Sequence, residues 1–336
     1  MAIRTEIAGI AGYLPPDTWT SADVEARLRA ESGGAAILSG MVESATGVRT
    51  RRFAAASVNC SDLAAEAART ALDRANVGPD EVDLLIFAAA CQDLTEPATS
   101  NIVQEKVGTS CPVFDVKNAC NSFLNAIQVA DAMIKAGMHH TVLIACGETP
   151  SRGINWGPRN RRELKQSFMG YTFGDAGAAA VLRPATTGGG IIYQAFQTIS
   201  HHWDIATIPG GGSMHPRGDE FTTFRGDGGR LKDAFVAAGP PVLTEALRAA
   251  GTCIEDLQRV LVHQVSVRAC ELFVRETGVP AAKVEMTVQE FGNLASASLP
   301  VAYDRAMARG DIPPGGLVAW VGMAAGISIS VMIMRA

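Results

Sequence analysis

Two stretches far apart in this chain carry the same pattern. Glu81-Val82-Asp83-Leu84-Leu85-Ile86 and Ile254-Glu255-Asp256-Leu257-Gln258-Arg259-Val260-Leu261-Val262 each lead from acidic residues into an apolar strand. Val82–Ala90 is almost continuously apolar, as a strand covered on both sheet faces has to be. Helical and strand patterns alternate around both stretches. In the first part, Ile7–Tyr13 reads as a strand, Ser61–Arg74 as an alanine-rich helix and Asn101–Val107 as a helix. Thr141–Cys146 reads as a strand and Gly174–Leu182 as a glycine-led strand. A long irregular, glycine-rich stretch, Ser200–Arg230, follows. Then come helices over Pro241–Ala250 and Val267–Thr277, a strand ending at Val260–His263, and a helix from after Asn293 to about Arg309. Strands Leu317–Val321 and Ile327–Met334 close the chain. This order predicts a duplicated α/β unit, with halves 1–185 and 186–336 and a junction in Thr186–Gly190. In such sheets a site lies beyond the carboxyl ends of the strands, where the halves meet.

The 336 residues, 47% of them hydrophobic, suffice for a large core. A net charge of -5 argues against non-specific nucleic-acid binding. No apolar run is long enough for a membrane span, and Met1–Pro15 has no secretory cleavage pattern. Seven cysteines, an odd number with no CxxC pair, fit a reducing cytoplasm and give no zinc pattern. The expectation is a cytoplasmic protein without nucleic-acid or membrane partners.

Cys120 carries the strongest chemical signal. Val113–Val116 reads as a buried strand before it. After it, Phe123, Leu124, Ile127, Val129, Ala130, Met133 and Ile134 mark a mostly buried helix that runs to Gly137. A thiol at such a strand-to-helix turn meets unpaired N–H groups and the helix dipole, which favour the thiolate. A cysteine nucleophile needs partners. His263, at a strand end, and Asn293, where a helix begins, could supply an imidazole and an amide donor, although spacing alone does not show that they meet. Cys91 and Cys146, at strand ends, read as inert packing.

With these residues stand Thr46-Gly47-Val48-Arg49, Phe114-Asp115-Val116, Phe173-Gly174-Asp175-Ala176-Gly177-Ala178-Ala179, His263-Gln264, and Gly292-Asn293 followed by Ser298 and Pro300. In that order, over essentially the whole chain, the set resembles the type III β-ketoacyl-ACP synthases of the thiolase superfamily. The resemblance implies a thiolase-like fold of duplicated α-β-α-β-α units in five layers, a homodimer, acyl thioester substrates, an acyl carrier protein as partner, and no cofactor. It implies that Cys120 is acylated and that His263 and Asn293 stabilise the enolate of a second thioester. It also implies an oxyanion hole from the Cys120 N–H and a backbone N–H in Gly322-Met323-Ala324-Ala325-Gly326, with Ala324 as the candidate. Arg268 and Arg275, seven apart on one helix, match the family's carrier-protein patch.

Three departures stand out. Met41 and Ala45 occupy the places where CoA-using members carry the Trp and Arg that clamp adenine. Gly322-Met323-Ala324 replaces a triple glycine. Glu96, in Leu94-Thr95-Glu96-Pro97, stands where initiators place a Phe that enters the partner subunit. A carboxylate there resembles enzymes that join two acyl chains head to head, in which a Glu crosses the dimer and acts as base. The expected function is therefore Claisen condensation of two acyl thioesters in a specialised lipid or polyketide pathway, with delivery by carrier protein favoured over CoA. The alternatives are decarboxylative initiation from acyl-CoA and malonyl-ACP, acyl transfer to oxygen or nitrogen, and a non-catalytic partner subunit. Gly174–Gly177 lacks nucleotide-loop spacing and reads as close strand packing. His201, His202 and His215, near Trp203, Ile205 and Met214, read as a pocket-lining loop rather than a metal site. Arg159-Asn160-Arg161-Arg162 reads as a solvated face.

Overall fold

A computed structural model describes residues 3–336 other than Gly34 and Thr187. Thr187 of the expected junction, and Met1 and Ala2, lie outside the described residues. Nine strands build two sheets: β1 (Thr5–Tyr13), β2 (Leu84–Ala88), β3 (Val113–Val116), β4 (Val142–Glu148), β5 (Ala176–Pro184), β6 (Gly190–Thr198), β7 (Leu257–Val262), β8 (Leu317–Ala324) and β9 (Ser328–Arg335). The first sheet has the order β1-β5-β4-β2-β3 and the second β6-β9-β8-β7. In both, the second strand in this order pairs antiparallel with each of its neighbours, β5 with β1 and β4, and β9 with β6 and β8, and the next pair is parallel: β2 with β4, β7 with β8. The second sheet is thus the first without a counterpart of β3.

Six helices fill the layers: α1 (Cys60–Ala75), α2 (Thr99–Val107), α3 (Ser122–Lys135), α4 (Gly228–Ala249), α5 (Val267–Thr277) and α6 (Ser298–Ala308). α3 and α6 lie between the sheets. α1 and α2 cover the outer face of the first sheet, and α4 and α5 that of the second. This is the αβαβα layering of the thiolase-like fold. Phe123, Leu124, Ile127 and Ile134 of α3 are all buried in the main core. Each such side chain contributes roughly 1.5–3 kcal/mol of burial.

Small residues set the spacing on the outer face. Ala64, Ala65, Ala67, Ala68, Ala71 and Ala75 of α1 are buried against glycines on three adjacent strands. A Cβ at Gly9 would stand 2.3 Å from the Ala71 carbonyl oxygen, at Gly177 2.0 Å from that of Leu63, and at Gly147 1.8 Å from that of Cys60. The helix therefore rests backbone against backbone on the sheet. The same demand explains Gly174 and Gly177, read from sequence as close packing: a Cβ at Gly174 would stand 2.1 Å from the Phe291 carbonyl oxygen.

Two elements differ from expectation. α4 begins at Gly228, well before Pro241, and carries Pro240 and Pro241 inside it. Asp227 caps its start, accepting from the Gly229 and Arg230 N–H groups. Leu231, Ala234 and Phe235 in its first turns pack with Ile205 and Ile327, a tertiary contact that the sequence pattern does not show. β6 was not expected as a strand. It pairs only with β9 at the sheet edge and mixes Gln194, Gln197 and Thr198 with apolar residues, so it has no clean alternation to read.

Gly177→Ala should lower stability by about 1–3 kcal/mol, because the methyl group must lift α1 from the sheet. Urea unfolding measures this, and an unchanged midpoint would mean that α1 can shift without loss.

Candidate active site

The nucleophile turn is built by local hydrogen bonds. The Asn118 N–H donates to Ser122 Oγ (2.8 Å), and the Ser122 hydroxyl donates to the Ala119 carbonyl (2.7 Å). Ala119 adopts φ 46, left-handed backbone that a non-glycine residue holds only under constraint. α3 starts two residues beyond Cys120, which is half-buried. Asn121 is fully buried and ties the turn to the β8–β9 hairpin. Its amide donates to Ser328 Oγ (2.8 Å), and its Oδ1 accepts from the Ser330 hydroxyl (3.0 Å). A Cβ at Gly322 would stand 2.0 Å from Asn121 Oδ1, so the one glycine that begins this loop is the one opposite Asn121.

His263 follows β7, and its N–H donates to the Val321 carbonyl at 2.9 Å. Gln264 fixes the backbone behind it. Its Oε1 accepts from the Thr287 (2.9 Å) and Val288 (3.0 Å) N–H groups, and its amide donates to the Glu285 carbonyl. The His263 ring is buried, and among the described residues its Nδ1 has no partner. Burial pushes its pKa down to about 4, so the ring is neutral near pH 7.

Asn293 is held between two glycines. Its N–H donates to the Thr172 carbonyl (2.8 Å), and its own carbonyl accepts from Gly174 (3.0 Å). Gly292 adopts φ 70, and a Cβ there would stand 2.3 Å from the Thr172 oxygen. Asn293 Oδ1 accepts from the Ala295 N–H at 3.0 Å, which leaves the amide N–H groups for a ligand. No helix begins directly at Asn293 as expected: the 3-10 turn Ala295–Ala297 comes first, and α6 starts only at Ser298.

Shared neighbours bring these residues to the same ends of the strands. Asn121, next to Cys120, packs on Gly322, and Gly322 follows Val321, which binds His263. On the other side stands Glu148, the last residue of β4, with no exposure. Its carboxylate accepts from Ser296, in the turn that follows Asn293, and its charge reaches Cys120. Sequence reasoning missed Glu148, because Gly147-Glu148-Thr149 follows an apolar strand and looks like the start of a surface loop.

The electrostatics correct one expectation. Burial first, and then Glu148, push the Cys120 thiol up to about 12, and its own backbone N–H offsets this only in part. The helix start does not make a resting thiolate here, since desolvation outweighs it. Cys146 is buried within β4, and its thiol is likewise pushed well up by burial.

Glu96 is exposed on the β2–α2 loop, beside the exposed Leu94. Met41 and Ala45 lie half-buried on the helix Met41–Thr46. Arg268 and Arg275 are exposed on α5. Arg268 donates to the Ser44 carbonyl (2.9 Å), and Arg275 pairs with Glu276. Ala324 ends β8 opposite Ser328. The expected pocket-lining loop is only partly so: Ile205 is buried, whereas Trp203 and Met214 are exposed. His215 stacks on Phe221, whereas the neighbouring His201 and His202 rings are tilted at 50° to each other.

Residues 114–200 match the family model described as 3-oxoacyl-[acyl-carrier-protein (ACP)] synthase III, and residues 247–336 match its C-terminal model. The chain is 31% identical to a beta-ketoacyl-[acyl-carrier-protein] synthase III of Methylococcus capsulatus, covering 100% of both. It is 33% identical to one of Erythrobacter litoralis, covering 99% of both. Among solved structures it resembles cerulenin-bound OleA of Xanthomonas campestris, with a TM-score of 0.89, 25% identity, and 99% and 98% coverage. It also resembles the 3-oxoacyl-[acyl-carrier-protein] synthase III of Aquifex aeolicus, with a TM-score of 0.86, 27% identity, and 99% and 100% coverage.

Iodoacetamide should label Cys120 slowly near pH 7, with a rate still rising above about pH 9, since only the thiolate reacts. Peptide mass spectrometry across a pH series checks this. A rate that is already flat by about pH 7 would mean a resting thiolate.

Proposed function

The chain belongs to the 3-oxoacyl-[acyl-carrier-protein] synthase III family and is an acyltransferase of the condensing, ketosynthase III type; from that premise we propose the roles of its residues. Cys120 attacks the carbonyl of an acyl thioester. The acyl group passes to its sulfur, and the thiol proton leaves with the departing thiolate of the donor. The acyl oxygen sits against the Cys120 N–H and the backbone N–H of Ala324. His263 and Asn293 then donate to the carbonyl oxygen of the second thioester as it becomes an enolate. The enolate carbon attacks the acyl carbon, and Cys120 sulfur is released. The observation that carries this reading is the neutral, buried His263 together with an Asn293 whose Oδ1 is already engaged. Both then present N–H groups to a developing anion. The nucleophile comes from the half 1–185, and the enolate donors from 186–336.

Glu96 favours the non-decarboxylative form of the reaction. It is exposed in the single chain, on a loop whose base is held at Ala90 and Cys91. In a homodimer this loop reaches the partner's pocket, where a carboxylate removes the α-proton of an unactivated acyl chain. Decarboxylation of a malonyl unit needs no such base. Met41 and Ala45 offer no aromatic or cationic clamp for adenine. Arg268 and Arg275 offer an acidic carrier protein two exposed cations. Acyl thioesters on carrier protein are therefore the preferred substrates. Among the described residues no helix is long and apolar enough to cross a membrane.

Cys120→Ala should abolish both the acyl adduct, read by intact-protein mass, and turnover. His263→Ala and Asn293→Ala should keep the adduct and lose about 2.7–4 kcal/mol of transition-state stabilisation in condensation. An adduct that survives Cys120→Ala would remove Cys120 from its role.

Glu96→Gln should leave the Cys120 adduct intact and abolish joining of two unactivated acyl chains. Full activity of this variant, with malonyl-carrier protein as the working second substrate, would instead establish decarboxylative condensation.

A further inference from the structure

The reaction as described gives Glu148 no task, yet its carboxylate is fully buried at the end of β4. Oε1 accepts from the Ala90 N–H (2.7 Å), the Ser296 N–H (3.2 Å) and the Ser296 hydroxyl (2.5 Å). Oε2 accepts from the Cys91 N–H (3.1 Å). Backbone N–H groups can only donate, so this set suits a carboxylate. Burial raises its pKa, and these hydrogen bonds work against that rise. Stability alone does not call for a charge here, because a buried ionic group is often replaceable by apolar packing without loss.

The partners of this carboxylate are placed to matter for the chemistry. Ala90 and Cys91 begin the loop that carries Glu96. Ser296 lies in the 3-10 turn Ala295–Ala297, whose first residue, Ala295, donates its N–H to Asn293 Oδ1 and so orients the Asn293 amide. A single group at the end of a central strand thus joins the segments that bear two of the proposed functional side chains. We infer that Glu148 is a positioning residue for condensation, one that holds the Asn293 amide and the base of the Glu96 loop in register with Cys120. This rests on the roles proposed above for Cys120 and Asn293. The titratable groups that face Glu148 are the thiols of Cys91 on the β2–α2 loop, Cys146 on β4, and Cys120; Cys60 on α1 stands behind them, against Cys91 and Cys146. Of these, Cys120 is the proposed nucleophile, and the negative charge disfavours its thiolate.

Glu148→Gln keeps the shape but places an NH2 against groups that donate. The variant should form the Cys120 acyl adduct to the wild-type extent. It should condense about 10²-fold more slowly, the scale of loss from misplaced reacting groups. Its Cys120 alkylation profile should move to lower pH, because a negative charge has gone. Ser296→Ala removes one donor and should give a smaller loss in the same step, and combining it with Glu148→Gln should cost less than the product of the two. If Glu148→Gln does not fold, Ser296→Ala decides. Normal condensation in the folded variant overturns the inference. So do equal losses of acylation and condensation with an unmoved alkylation profile. Asn293→Ala serves as the reference: if it condenses normally, the proposed roles fail, whereas if it alone is impaired, only the role of Glu148 fails.

Discussion

The close seat of α1 on the first sheet is the constraint from which the rest of the architecture follows. Gly9, Gly147 and Gly177 let the backbone oxygens of Ala71, Cys60 and Leu63 come to within contact of the strands. No larger residue fits, and the buried alanines of α1 complete the surface. With the helix locked this low, the N-terminal end of α1 presses on the last residues of β4. Gly147 is the contact and Glu148 the next residue, so the carboxylate turns into the interior rather than into solvent. From there it binds the loop after β2 and the turn after Asn293. Packing at the back of the sheet thereby fixes the level of the loops at its functional end.

The site works with neutral groups. Moving the Cys120 thiol from 9.0 to about 12 corresponds to at most ~4 kcal/mol against the thiolate. A helix N-terminus returns about 0.3–1 kcal/mol, and at best ~2. Desolvation wins, and the protein keeps a thiol; in the proposed mechanism it becomes a nucleophile only as its proton leaves with the departing group. The same burial keeps His263 neutral, so in the proposed role it would meet a developing enolate as an N–H donor and not as a cation. In a dry site such fixed dipoles act more strongly than in water and need no rearrangement during reaction.

Much of this was legible in the sequence, for physical reasons. Val113–Val116 and Val267–Thr277 match the observed elements in extent, because a short apolar run and a periodic amphipathic one are each unambiguous, although the strand is half-buried at a sheet edge rather than buried as expected. Cys120, His263 and Asn293 were singled out because each stands at the end of such an element, within a specific set of motifs. Features set by tertiary contact were not legible. β6 depends on its one neighbour, and the first turns of α4 pack against Ile205 and Ile327, far from them in sequence. Glu148 looks like any loop acid until the fold closes over it. The protonation of Cys120 also depends on what surrounds it, which a strand-to-helix turn does not reveal.

The duplication clarifies the division of labour. β2 and β4 in the first sheet correspond to β7 and β8 in the second, by order and by direction. His263 follows β7 at the place where Ala89 and Ala90 follow β2. In one half that strand end presents an imidazole, and in the other it presents an N–H to Glu148. Likewise β4 ends in the Glu148 carboxylate, whereas β8 ends at Ala324, the proposed oxyanion amide. The nucleophile follows β3, the strand without a counterpart, and its turn is closed by Ser328 and Ser330 of the opposite half. Two equal frames would give two equal strand ends. The added strand breaks that symmetry, and in the proposed mechanism it leaves one half to carry the acyl group and the other to hold the enolate.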